Sequence, residues 1–103
     1  MKYYLCNKSD VVPGTKQRFE VAGTPVCVVN LDGEFFAVAD TCSHAEASLS
    51  DGHLMGSEIQ CPMHGAYFNV KTGEVLSPPA VNPIATYTVV VEGEDLFLDT
   101  DTL

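Results

Sequence analysis

Apolar and polar positions in this chain alternate in short segments, which predicts β-strands. Lys2–Cys6 reads as an edge strand, and Val11-Val12-Pro13-Gly14 as the approach to a turn, because Pro-Gly punctuates. Lys16–Ala22 alternates through Phe19 and Val21, as a half-buried strand does, and Gly23-Thr24-Pro25 breaks it. Val26–Leu31 is a β-branched run and predicts a buried strand. Asp32-Gly33 then sits between two apolar runs, which is a two-residue hairpin signal. Glu34–Ala39 is the return strand, with Phe35 and Phe36 on opposite faces. From Asp40 to Gly56 the chain turns small and polar. Ser57–Cys61 is a brief strand, and Tyr67–Val70 and Glu74–Leu76 form a hairpin around Lys71-Thr72-Gly73. Thr86–Val91 and Leu96–Leu98 make a last hairpin around Glu92-Gly93-Glu94-Asp95. The sum is an all-β, antiparallel domain.

The polar middle holds the candidate chemistry. Cys42-Ser43-His44 and Cys61-Pro62-Met63-His64 form the pattern C-x-H…C-x-x-H, with sixteen residues between the two pairs. Each short segment supplies one soft thiolate and one borderline imidazole. A [2Fe–2S] centre of the Rieske type takes two Cys on one iron and two His on the other. Two Cys and two His also satisfy one tetrahedral zinc. Zinc fingers, however, pair Cys with Cys and His with His, whereas here the two types alternate. Disulfides are a further alternative, since four Cys are present: Cys6, Cys27, Cys42 and Cys61. The opening residues Met1–Lys8 lack the apolar stretch of a secretory signal, so an oxidising compartment has no support. Cys27, within a buried run, and Cys6, at a strand end, read as small core residues.

Together with the downstream Ser77-Pro78-Pro79, these motifs resemble the Rieske ferredoxins of multicomponent aromatic-ring dioxygenases, and the likeness spans the whole chain. The resemblance implies a Rieske-like antiparallel β-sandwich or barrel. Residues 1–103 would form one domain, with a base of residues 1–40 and 80–103 carrying an inserted cluster-binding unit at 41–79. It implies one [2Fe–2S] cluster, with Cys42 and Cys61 on the inner iron and His44 and His64 on the outer one. It also implies a carrier, not an enzyme, passing single electrons from a flavin-dependent reductase to a terminal Rieske non-haem iron oxygenase. A small Rieske-fold subunit of another redox enzyme, such as nitrite reductase, is the alternative. Such subunits commonly lack the ligand set that this chain keeps. A zinc-stabilised binding module is a third reading.

Composition narrows the partners. Hydrophobic residues make up 46% of the 103-residue chain, enough for one packed domain. No apolar run approaches the roughly 20 residues of a membrane helix. Fourteen acidic residues against five basic give a net charge of −9, which disfavours nucleic acid and favours a partner with a basic patch. The acidity also serves solubility. A cytoplasmic monomer is expected. There is no phosphate-binding loop and no nicotinamide or flavin motif. Once His44 and His64 are taken by a cluster, only His53 remains, so a mononuclear iron site with two His is out of reach. His53 reads as a solvated loop residue.

Residues flanking the motifs bear on the potential. Replacing two thiolates by imidazoles removes negative charge, and Rieske centres lie at roughly −150 to +300 mV against about −400 mV for plant-type clusters. High-potential relatives carry an extra disulfide between the loops, and a Ser and a Tyr whose hydroxyls donate to cluster sulfur. The matching positions here are Ala47 and Met63, and Ala66 and Phe68, which predicts the low end of that range. Gly65 allows close backbone approach to a cluster, and Ser77-Pro78-Pro79 is expected to cover one side of it.

Overall fold

The computed structural model describes residues 1–43, 47–63, 65–77 and 82–101. His44, His64, Pro78 and Pro79 lie outside the described residues. Nine strands are described: β1 Lys2–Asn7, β2 Lys16–Val21, β3 Thr24–Leu31, β4 Glu34–Ala39, β5 Leu54–Met55, β6 Glu58–Gln60, β7 Tyr67–Asn69, β8 Thr86–Glu92 and β9 Asp95–Asp99. Single 3-10 turns occupy Lys8–Asp10 and Leu49–Asp51.

The strands form two antiparallel sheets, one of six strands in the order β1-β9-β8-β4-β3-β2 and one of three in the order β5-β6-β7. The larger sheet curls over itself. Val21, Val26, Val28 and Ala37 from one half pack with Leu98, Tyr3, Leu5 and Val89 from the other. The alternation of β3 then sends Cys27 and Val29 to the opposite face, where Val38 joins them against Leu49, Ile59, Phe68 and Val70. Strand β3 is therefore apolar on both faces, which is why its run is continuous. The expected all-β barrel or sandwich architecture is present.

The Asp32-Gly33 hairpin forms where expected, with φ of 54° and 97° and Leu31 paired to Glu34. The preceding turn differs. Ala22 and Gly23 both take positive φ, so Val21 pairs with Thr24, and Thr24-Pro25 belongs to β3 instead of breaking the chain. Pro25 is tolerated because it needs only its carbonyl, which accepts from the Asp40 N–H at 3.1 Å. Strand β5, the 3-10 turns and the one-residue extension of β1 were not expected. The Glu74–Leu76 return is reduced to a single bridge, Phe68 to Val75.

Candidate cluster site

Both motifs lie in loops of the same build. The Cys42 N–H donates to the Ala47 carbonyl at 3.0 Å, and the Cys61 N–H donates to the Ala66 carbonyl at 2.7 Å. One residue further out, Thr41 bridges Ser48, and Gln60 pairs with Tyr67. One further again, the Leu49 N–H donates to the Asp40 carbonyl at 2.6 Å, and Ile59 pairs with Phe68. Each Cys is thus the first residue of a tight loop closed by a short antiparallel ladder. The first loop rises from the end of β4, and the second joins β6 to β7.

The ladders bring two residues distant in sequence together. Cys42 and Cys61 are 4% and 1% exposed, and both belong to the apolar cluster under the small sheet. Neither is in a disulfide. Burial pushes the Cys61 thiol up, and its hydrogen bond with the Cys42 thiol adds to this, while a backbone N–H of Met63 acts in the opposite sense. Two thiols buried side by side in an apolar cluster are poor partners for water and good ones for a metal centre, which takes both as thiolates. The N–H of Met63 already points at the sulfur of Cys61, a contact that favours a thiolate. This donor pair fits the sulfur side of a [2Fe–2S] cluster.

The positions of the two imidazoles lie outside the described residues, so their ligation stands as a proposal below. Among the described residues no group of three or more His, Cys, Asp and Glu side chains gathers as a metal site. His53 is exposed, and its carbonyl accepts from Gln60 N–H at 2.8 Å. Cys27 is wholly buried and Cys6 nearly so, as expected of core thiols. Burial, aided by the Asp40 carboxylate, pushes Cys27 up to about 12. Ala66 and Phe68 are both fully buried in the cluster that contains the two thiols.

The loops are anchored on either side. The Ser43 hydroxyl donates to the Asn82 carbonyl at 2.6 Å, and Tyr67 N–H donates to the Ser77 hydroxyl at 3.1 Å. Gly65, at φ +76°, could not carry a side chain without strain and a close contact at Gln60. Two contributors had no signal in the sequence. Gly52 is required because a Cβ there would fall 1.6 Å from the Gln60 carbonyl oxygen. Asp40 reads as the start of a polar loop, yet it is 1% exposed.

The Rieske [2Fe–2S] domain model matches residues 1–88. The chain is 43% identical over 95 residues to the ferredoxin component of biphenyl 2,3-dioxygenase from Rhodococcus jostii, covering 92% of this chain and 89% of that one. It is 41% identical over 99 residues to the ferredoxin subunit of 3-phenylpropionate/cinnamic acid dioxygenase from Escherichia coli, covering 95% and 92%. The ferredoxin of carbazole 1,9a-dioxygenase from Nocardioides aromaticivorans superposes with a TM-score of 0.93 at 34% identity, covering 98% and 99%. A nitrite reductase small subunit superposes at 0.82 with 23% identity, a likeness of fold alone. The chain belongs to the Rieske [2Fe–2S] family and is a ferredoxin, an electron carrier that holds one [2Fe–2S] cluster.

Proposed function

We propose that this chain is the ferredoxin of an aromatic-ring-hydroxylating dioxygenase system, taking single electrons from a flavin-dependent reductase and delivering them to a terminal Rieske non-haem iron oxygenase. The observation that carries the reading is the meeting of Cys42 and Cys61 as buried, hydrogen-bonded thiols at the mouths of two matched loops. The names of the relatives support the partner, and one similar structure is a complex of oxygenase and ferredoxin in carbazole 1,9a-dioxygenase, at TM-score 0.90 and 39% identity.

Cys42 and Cys61 would hold one iron and His44 and His64 the other. When bound, the cluster accepts and releases one electron. The chain itself does the rest. The ladders below each loop fix the cysteines, and the apolar cluster around them excludes water. The Met63 N–H steadies the charge on the Cys61 sulfur. Among the described residues no group of three or more His, Cys, Asp and Glu gathers as a second metal site. Residues 41–79 would act as the cluster-binding unit on a base of residues 1–40 and 80–103. The carrier would work as a cytoplasmic monomer, and no helix among the described residues is long and apolar enough to cross a membrane.

Cys42→Ala, Cys61→Ala, His44→Ala and His64→Ala each test the ligand set by bound iron, visible spectrum and EPR of the reduced protein. Each should lose the native spectrum, and full iron with an unchanged spectrum in any of them would overturn its assignment. Turnover of an aromatic substrate by reductase and oxygenase, with and without the ferredoxin, tests the role. Unchanged turnover in its absence would refute it.

A further inference from the structure

The two loops are closed by matching rungs, but one pair of positions differs in charge. Two residues before Cys61 stands Ile59, apolar and fully buried. Two residues before Cys42 stands Asp40, equally buried but a carboxylate. An apolar side chain meets the packing need in the second loop, so packing alone does not account for a charge in the first. Burying one is costly unless it is paired.

The partners of Asp40 are specific. Its Oδ1 accepts from the Ser50 N–H at 2.9 Å, which ties it to the 3-10 turn Leu49–Asp51. Its Oδ2 makes no aligned hydrogen bond, but lies 3.2 Å from Arg18 Nε of β2. That contact is held by charge. Arg18 is about half exposed and also reaches Glu20 at 2.6 Å, so the cation is shared with the surface while the anion stays in the protein. The carboxylate is also felt at a sulfur of the same apolar cluster, since it adds to the upward shift of Cys27.

We propose that Asp40 and Arg18 form a charge pair behind the first ligand loop that sets the reduction potential of the cluster, the buried carboxylate lowering it and the guanidinium raising it. Reduction adds negative charge to the cluster. A fixed anion two residues from Cys42 opposes that charge, and a fixed cation favours it. The two effects are unequal because Arg18 is partly in water, where its field is screened, and Asp40 is not. Both residues are positioning residues, acting through the loop base without touching the reacting atoms. The inference rests on Cys42 as a ligand, and its test separates the two readings.

Asp40→Asn keeps an acceptor for Ser50 N–H and removes the charge. Arg18→Gln removes the cation from a half-exposed surface site. Both variants are purified with their cluster, checked for iron and EPR signal, and titrated by protein-film voltammetry at one pH. At a fixed poise the reduced-to-oxidised ratio should rise at least threefold in Asp40→Asn and fall by a smaller factor, about twofold, in Arg18→Gln. At 59 mV per tenfold for one electron these correspond to about 28 mV and about 18 mV. Arg18→Lys should restore the ratio to within a factor of about 1.5. A purely structural pair would alter iron retention or melting without shifts of opposite sign. Unshifted potentials, or shifts of one sign, in variants with full iron would overturn the proposal while leaving the ligand set intact. Should Asp40→Asn fail to load, Arg18→Gln with an unshifted potential alone refutes it.

Discussion

Gly52→Ala should cost this protein its cluster, although residue 52 is not a ligand. Gly52 has φ −87° and ψ −173°, an extended conformation that alanine adopts freely. The substitution therefore tests space and not backbone strain. The new Cβ would lie 1.6 Å from the Gln60 oxygen, 2.8 Å from the Gln60 carbonyl carbon and 3.3 Å from the Leu49 oxygen. Restoring a 3.0 Å separation moves the Gln60 peptide by about 1.4 Å, and that peptide carries the Cys61 N–H. A shift of this size breaks the 2.7 Å bond to Ala66 that closes the second loop. Overpacking costs roughly 1–3 kcal/mol and a lost hydrogen bond about 1 kcal/mol more. For a domain of this size that lowers the melting temperature by roughly 10–30 °C. The assay is iron per chain together with the thermal melt of the purified protein. Gly56→Ala is the control: Gly56 has φ +59° with open space around it. It should cost about 1 kcal/mol in strain and retain full iron. Full iron and a melting point within about 3 °C of the parent in Gly52→Ala would refute the reasoning.

Ala66→Ser should raise the potential by tens of millivolts, because a hydroxyl at this buried position can donate to cluster sulfur and a charged hydrogen bond is worth roughly 1.5–3 kcal/mol in all. Phe68→Tyr should do so less reliably, since its ring is fully enclosed; voltammetry showing no rise in Ala66→Ser with an intact cluster refutes the donor argument. The Cys27 thiol, pushed from its ordinary 9.0 to about 12, keeps its proton more tightly folded than unfolded. Its contribution is complete below about pH 9 and is lost as pH rises toward 12, so denaturant midpoints should fall across that window, and less steeply in Cys27→Val. Alkylation of Cys27 at pH 8 in the native protein, read by mass spectrometry, would contradict its burial. Electron transfer to a terminal oxygenase should slow with salt, given the net charge of −9 and screening over roughly 10 Å at 0.1 M. A second-order rate flat with ionic strength would confine the acidity to solubility.

The family was legible before the geometry. Residue type, order and spacing in C-x-H…C-x-x-H point to the Rieske [2Fe–2S] domain without any knowledge of the chain path. The Asp32-Gly33 turn was equally plain, because both positions need positive φ and apolar runs flank them. Ala22-Gly23 was hidden because alanine seldom takes φ of +51°, and the prolyl residue beside it drew the break one step too far. Strand β5, of two residues, is too short for any periodicity. The loop closures rest on the carbonyls of Ala47 and Ala66, backbone groups that every residue has. The burial of Asp40 depends on Arg18 from another strand and on Ser50 N–H, a meeting that no local pattern announces.

The two-sided character of β3 and β4 explains how a loop-borne cluster stays rigid. A carrier must keep its redox centre near the surface for partners, yet its ligands must hardly move between oxidation states. Loops alone do not give both. Here Val29 and Val38 turn away from the barrel interior and pack with Ile59, Phe68 and Leu49, which form the rungs just below the ligand loops. Cys42 and Cys61 sit in that same apolar cluster, so their side chains belong to the core, while Pro62 and Met63 beside Cys61 are exposed. Met63, 50% exposed, lies one residue from a proposed ligand. Any substitution that loosens this second core, even on the far side of β3, should therefore be felt first as faster iron loss and only later as unfolding. The barrel core of Val26, Val28 and Leu98 should show the reverse order, since it holds none of the residues that carry the loops.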